Sequence, residues 1–98
     1  MKVTHTHQSV RFEWDDVKAQ TNLRKHGVSF ESACQAFFDP FVRWIQEEVV
    51  HGELRETMIG MTEDWKLLFT VYVMRENSIR LISAREVTHT ERKLYEDQ

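Results

Sequence analysis

Arg55, Arg80 and Arg85 carry the clearest chemistry in this chain, because each falls in or beside a segment that reads as β-strand, where the direction of a side chain is fixed. A planar guanidinium can grip two phosphate oxygens at once and stays charged at any working pH. Arg80 alternates with Ile82 and Ala84, so the expected strand holds a charge on a largely apolar face. Such an arginine needs either a carboxylate partner, for which Glu53 and Glu56 are the candidates, or a phosphate. Glu53 can act as a base or simply orient Arg55, two positions on. His26 can move a proton near neutral pH, although a histidine in the last turn of a helix is stabilised by the helix dipole without doing chemistry. Lys18 and Lys25 can contact phosphates or merely solvate a helix. Tyr95 can join a site from the end of the chain or pair with Glu91 one turn before it.

The elements that must hold these residues are marked by caps and periodicity. Asp15 is an N-cap with Asp16 behind it, and Lys25, His26 and Gly27 make a C-terminus, so a helix is expected over Asp16 to His26. Ser29 caps a second helix, with Phe30, Ala33, Cys34 and Phe37 as its apolar stripe, closed at Asp39-Pro40. Extended segments follow at Phe41 to Glu48, Leu54 to Met61, Trp65 to Met74 and Ile79 to Ala84, with turns at His51-Gly52, Thr62-Glu63-Asp64 and Glu76-Asn77-Ser78. Trp65 to Met74 is apolar on both faces, as a central strand requires. Thr88 and Glu91 form a capping box before a last helix of about Thr90 to Glu96. Val10 to Trp14 reads as a first edge strand, and Met1 to Gln8 as a loose polar segment. The expectation is an α+β two-layer domain over residues 10–98, with a flexible segment 1–9 before it and the order β-α-α-β-β-β-β-α around an antiparallel sheet.

Composition narrows the function classes. The 98 residues suit one domain with a modest core, and no apolar run approaches the roughly 18 residues of a membrane span. The first residues lack the apolar stretch of a secretory signal, so a cytoplasmic protein is expected. Cys34, the single cysteine, sits on an apolar stripe and reads as a buried thiol. His5 and His7 have no second ligand cluster for a metal, and no cofactor motif, Gly-rich phosphate loop or Ser/His/Asp pattern is present. The net charge of −3 is unusual for a nucleic-acid binder, but it is unevenly spread. Eight acids face two bases between Glu31 and Asp64, whereas five bases outnumber three acids between Arg75 and Lys93. That segregation permits a local positive site on an acidic protein.

Taken together, Phe12-Glu13-Trp14-Asp15, Lys18, Asn22, Lys25-His26-Gly27-Val28-Ser29-Phe30-Glu31, Asp39-Pro40, Glu53 with Arg55, Ile79-Arg80, Ile82-Ser83-Ala84-Arg85 and Glu91-Arg92 with Tyr95 resemble the BrnT toxin family. The resemblance runs from Phe12 to Tyr95, and the Lys-His-Gly and Ile-Ser-Ala-Arg blocks are specific as a pair. It implies a RelE-like fold and an endoribonuclease toxin of a bacterial type II toxin–antitoxin pair, which cuts RNA without metal and halts translation. Its implied partner is a BrnA antitoxin, a ribbon-helix-helix protein that neutralises the toxin and carries the complex to operator DNA. RNA cleavage of this kind needs a base for the 2′-hydroxyl, an acid for the leaving 5′-oxygen and cations over the transition state. Arg55, Arg80 and Arg85 answer the last need, His26 or Glu53 the proton transfers, and Lys18, Lys25 and Tyr95 the RNA contacts. The alternative is a non-catalytic module that only binds the antitoxin or acts as co-repressor.

Overall fold

The computed structural model describes all 98 residues, and its helices begin and end where local chemistry directs. The Asp15 carboxylate accepts the Lys18 N–H at 3.0 Å and starts α1 (Asp16–His26), which Gly27 ends in the left-handed conformation at φ +69°. The Ser29 hydroxyl accepts the Ser32 N–H and starts α2 (Phe30–Ala36). α2 stops short of the expected Asp39-Pro40. The Phe37 and Phe38 N–H groups turn back to the Cys34 and Gln35 carbonyls, which frees Asp39 to cap other segments. At the other end of the chain, both bonds of the Thr88–Glu91 capping box start α3 (His89–Glu96).

Six strands form one sheet: β1 (Lys2–His7), β2 (Val10–Asp15), β3 (Arg43–Val50), β4 (Glu53–Met61), β5 (Leu67–Met74) and β6 (Ile79–Glu86), in the order β1-β2-β6-β5-β4-β3. All neighbours are antiparallel except β2 and β6. The architecture is therefore α+β, with a mostly antiparallel sheet and three helices.

Three expectations need correction. The segment expected to be loose is a paired edge strand, β1, and β2 lies inside the sheet. Val3, His5 and His7 alternate toward the core, and the His5 ring packs 5.7 Å from Trp14 and the His7 ring 5.3 Å from Phe38, while His7 Nε2 lies 3.6 Å from the Glu63 carboxylate. Trp65 belongs to the turn before β5, at φ +65° and 83% exposed, and β5 starts at Leu67. Finally, β6 carries a bulge. Tyr72 lies opposite Leu81 and Val71 opposite Ser83, so Ile82 is an extra residue. The bulge puts Leu81 and Ala84 on the same side and turns Arg80 to the opposite face, away from Ala84.

The core lies between the sheet and α2, built from Phe12, Trp14, Phe30, Met58, Tyr72 and Leu81. α2 presses close against β4 at Gly60, where any Cβ would collide with the Ala36 carbonyl. α1 lies along β6 beyond the end of its pairing with β2. There the buried Asn22 amide accepts the Ala84 N–H at 3.1 Å and donates to the Ala84 carbonyl at 2.8 Å and the Val28 carbonyl at 3.0 Å. One side chain thus satisfies backbone groups that a neighbouring strand would otherwise pair.

Candidate functional site

The sheet face turned away from α2 carries the arginines. Residues directly opposite in adjacent strands share a face, and Val73 on β5 lies opposite Arg80 on β6. One step beyond the Glu56–Tyr72 pair, Arg55 on β4 is level with Val73. Arg55 and Arg80 therefore sit in one row, two strand spacings or about 10 Å apart.

Their surroundings differ. Arg80 Nη1 donates to Glu13 Oε2 at 2.8 Å, a partner brought by the parallel β2–β6 pairing in place of the expected Glu53 or Glu56. Glu13 also accepts the Ser78 hydroxyl at 2.6 Å and has Lys2 Nζ at 3.7 Å. The Ser78 hydrogen bond, with help from Arg80 and Lys2, holds this carboxyl below the usual range against the cost of burial. Arg55, by contrast, has no ion pair, and its Nε is buried without a hydrogen-bond partner. Glu53, expected beside it, instead pairs with Arg75 at 2.9 Å.

Arg85 and Tyr95 fasten α3. The Arg85 fork donates to both Glu91 oxygens, at 2.7 and 2.9 Å, and its guanidinium lies 4.2 Å from the centre of the Phe69 ring. The Tyr95 hydroxyl donates to Asp39 Oδ2 at 2.6 Å, an oxygen that also takes the Met61 N–H at 2.8 Å. Burial, reinforced by Asp39, pushes the Tyr95 phenol up to about 12. Its partner is Asp39, not Glu91 one turn away.

Lys18, Lys25 and His26 come together. They line a groove of about 260 Å³ between α1 and the β6 bulge, with Thr21, Ile82 and Ser83. Val17 and Asn22 complete the lining, so no acid faces it. On a chain of net charge −3 this is a local basic site. Ser83 also lies opposite Val71, on the arginine face, so the groove adjoins that face through one residue.

Glu13, Asn22, Thr21 and Ser83 are site residues beyond those expected from sequence. Glu13 had a local signal, a charge between the inward-facing aromatics Phe12 and Trp14. The others depend on which segments meet in space.

The model of the ribonuclease toxin, BrnT, of type II toxin–antitoxin systems matches residues 14–91. The chain belongs to the BrnT family. Membership makes it one of a family described as ribonuclease toxins and implies an antitoxin as partner. Among solved structures, the crystal structure of the Brucella abortus ribonuclease toxin BrnT is similar, at 22% identity and a TM-score of 0.52, covering 78% of this chain and 94% of that one. At that identity the likeness concerns the fold alone, an α+β domain similar to that of the Brucella toxin. No curated protein matches the chain. No helix in this BrnT-family chain is long and apolar enough to cross a membrane.

Proposed function

We propose that this BrnT-family chain is a metal-independent endoribonuclease toxin that acts on single-stranded RNA laid across the α1–β6 groove and the arginine row. The observation that carries the reading is the acid-free groove of Lys18, Lys25 and His26 on an otherwise acidic protein. The two lysines hold backbone phosphates and Arg55 and Arg80 grip the non-bridging oxygens of the scissile phosphate. Glu13 keeps Arg80 extended toward it. The 2′-hydroxyl attacks phosphorus, its proton is removed, and the 5′-oxygen leaves with a proton. His26 serves in these transfers, since Glu53 is engaged by Arg75. Arg85 and Tyr95 contribute by holding α3. Translation inhibition in the cytoplasm, a RelE-like kinship of the fold and neutralisation by a BrnA-type ribbon-helix-helix antitoxin that brings the complex to operator DNA belong to the same proposal.

Purified protein incubated with a synthetic single-stranded RNA and a chelator tests it. Cleavage that Arg55→Ala and His26→Gln both reduce at least about a hundredfold is expected. Intact RNA with the unaltered chain, or cleavage by either variant equal to that of the unaltered chain, sinks it. A second reading, a non-catalytic antitoxin-binding module, is favoured by the pairing of Arg80 with Glu13, Arg85 with Glu91 and Glu53 with Arg75. Transcripts that stay intact in cells in which the chain is induced select that reading.

A further inference from the structure

The helical layer leaves part of its own sheet face bare. α2 packs over β4, β5 and β6, and α1 over β6 and β2, whereas the substantial contacts of β3 are with β4 alone. On this uncovered ledge Trp44 lies opposite Met58, Glu47 opposite Glu56 and Val49 opposite Leu54, and Met74 stands two residues past Tyr72. Trp44, Val49, Leu54 and Met74 are 62, 68, 46 and 59% exposed. Single exposed apolar residues are ordinary, but four on one face at neighbouring strand positions form a patch.

Two polar features give the ledge a preference. Neither Glu47 nor Glu56 has an ion-pair partner. Under the Trp44 ring, 5.9 Å away, Tyr72 is 1% exposed, with its hydroxyl turned to the Glu56 carboxylate. A carboxylate has more lone-pair sites than one hydroxyl uses, so Glu56 can still accept from an incoming cationic donor.

We propose that this ledge docks a cationic amphipathic helix of a partner protein, which lies beside α2 and completes the helical layer. The four apolar side chains rise from the sheet face, so their cover must lie on the face as α2 does, with an apolar stripe at helical spacing. Lysines or arginines flanking that stripe neutralise Glu47 and Glu56. A second copy of this chain would set these acids against their like in a self-complementary contact. A strand added at the β3 edge would use backbone groups and leave Met74 and Tyr72 bare. The ledge is on the face opposite Arg55 and Arg80, so the inference is independent of RNA cleavage, and membership of a toxin–antitoxin family provides for a partner protein.

The probe is a fluorescently labelled model helix of leucine and lysine, about 18 residues or five turns long, titrated into the full chain and followed by anisotropy. One-to-one saturable binding is expected. Trp44→Ser, and the pair Glu47→Lys with Glu56→Lys, should each weaken it about tenfold or more. The same charge change placed elsewhere, Glu76→Lys with Glu86→Lys, should alter it less than about twofold. Because Trp44, Glu47 and Glu76 are exposed, unchanged thermal melts will verify that the variants fold. Equal weakening by both double variants would reduce the effect to general attraction by an acidic protein and overturn the proposal. So would undiminished binding by Trp44→Ser, a Trp44-dependent dimer in sedimentation, or new hydrogen-exchange protection along the β3 edge.

Discussion

Arg55 and Arg85 have the same side chain and opposite circumstances, and the contrast separates function from stability. Arg55 is half-buried, without an ion pair and with a bare Nε, an arrangement that costs the fold free energy and gives it nothing in return. Replacing it by methionine should therefore leave the melting temperature unchanged or raise it slightly, while abolishing RNA cleavage. Arg85→Met should do the reverse damage, because it strands the Glu91 carboxylate and empties the contact over Phe69. The pair is partly exposed and solvent-screened, so the loss should be on the order of 1–2 kcal/mol, read as a lower melting temperature. A melt in which Arg55→Met is the less stable of the two would show that Arg55 is structural. Arg80 is intermediate: Glu13→Gln removes the charge that fixes it, and should slow cleavage more than it weakens RNA binding.

At the scale of elements, Asn22 is the joint between α1 and the sheet. Asn22→Ala leaves the Ala84 N–H and carbonyl buried and unpaired, which should cost about 2–3 kcal/mol and lower the melting temperature by on the order of 10–20 °C. α3 is held differently, by charge. The folded Glu91 carboxyl is held low, first by the Arg85 hydrogen bond, so the stability it contributes is present above the ordinary carboxylate value and lost as pH falls through the depressed one. Amide protection in α3, taken relative to the intrinsic exchange rate at each pH, should therefore fall below about pH 4, ahead of the core, and Arg85→Met should remove that early acid step. An α3 that exchanges in step with β5 at every pH would refute it. These two joints also mark how far the sequence was readable. Caps at Asp15, Ser29 and Thr88 act within four residues, so the helix starts were legible. The β1–β2 hairpin was not, because Gln8 and Ser9 adopt positive φ without the glycine or asparagine that usually announces such a turn, and because His5 and His7 pack against aromatic rings. The bulge that reverses Arg80 was equally silent, since strand alternation assumes it away. Of the site, the residue types were legible and their partners were not: Glu13 and Arg80 are 67 positions apart and meet only through a parallel pairing.

For the whole molecule, the proposed function requires a chain of net charge −3 to hold a polyanion. Sequence segregation of charge is only half of the answer, because Arg80, Arg85 and Arg75 on the basic stretch are each committed to a carboxylate. The cations without an ion pair on the proposed RNA path are Lys18 and Lys25 on α1 and Arg55 on β4, drawn from stretches of different charge and gathered by the fold. So few phosphate contacts should give a shallow salt dependence. Each contact with a single strand contributes about 0.7 to the slope of log affinity against log salt. The Lys18→Ala, Lys25→Ala double variant should therefore lose about 1.4 from the slope, with affinity falling at low salt and converging on that of the unaltered chain as salt rises. The measurement is anisotropy of a labelled single-stranded RNA across a salt series, using a His26→Gln background to prevent cleavage. A slope that the double variant leaves unchanged would move the backbone contacts out of the α1 groove. It would leave Arg55 as the one unpaired cation on the proposed RNA path, too little to hold RNA there, and the non-catalytic reading would then prevail.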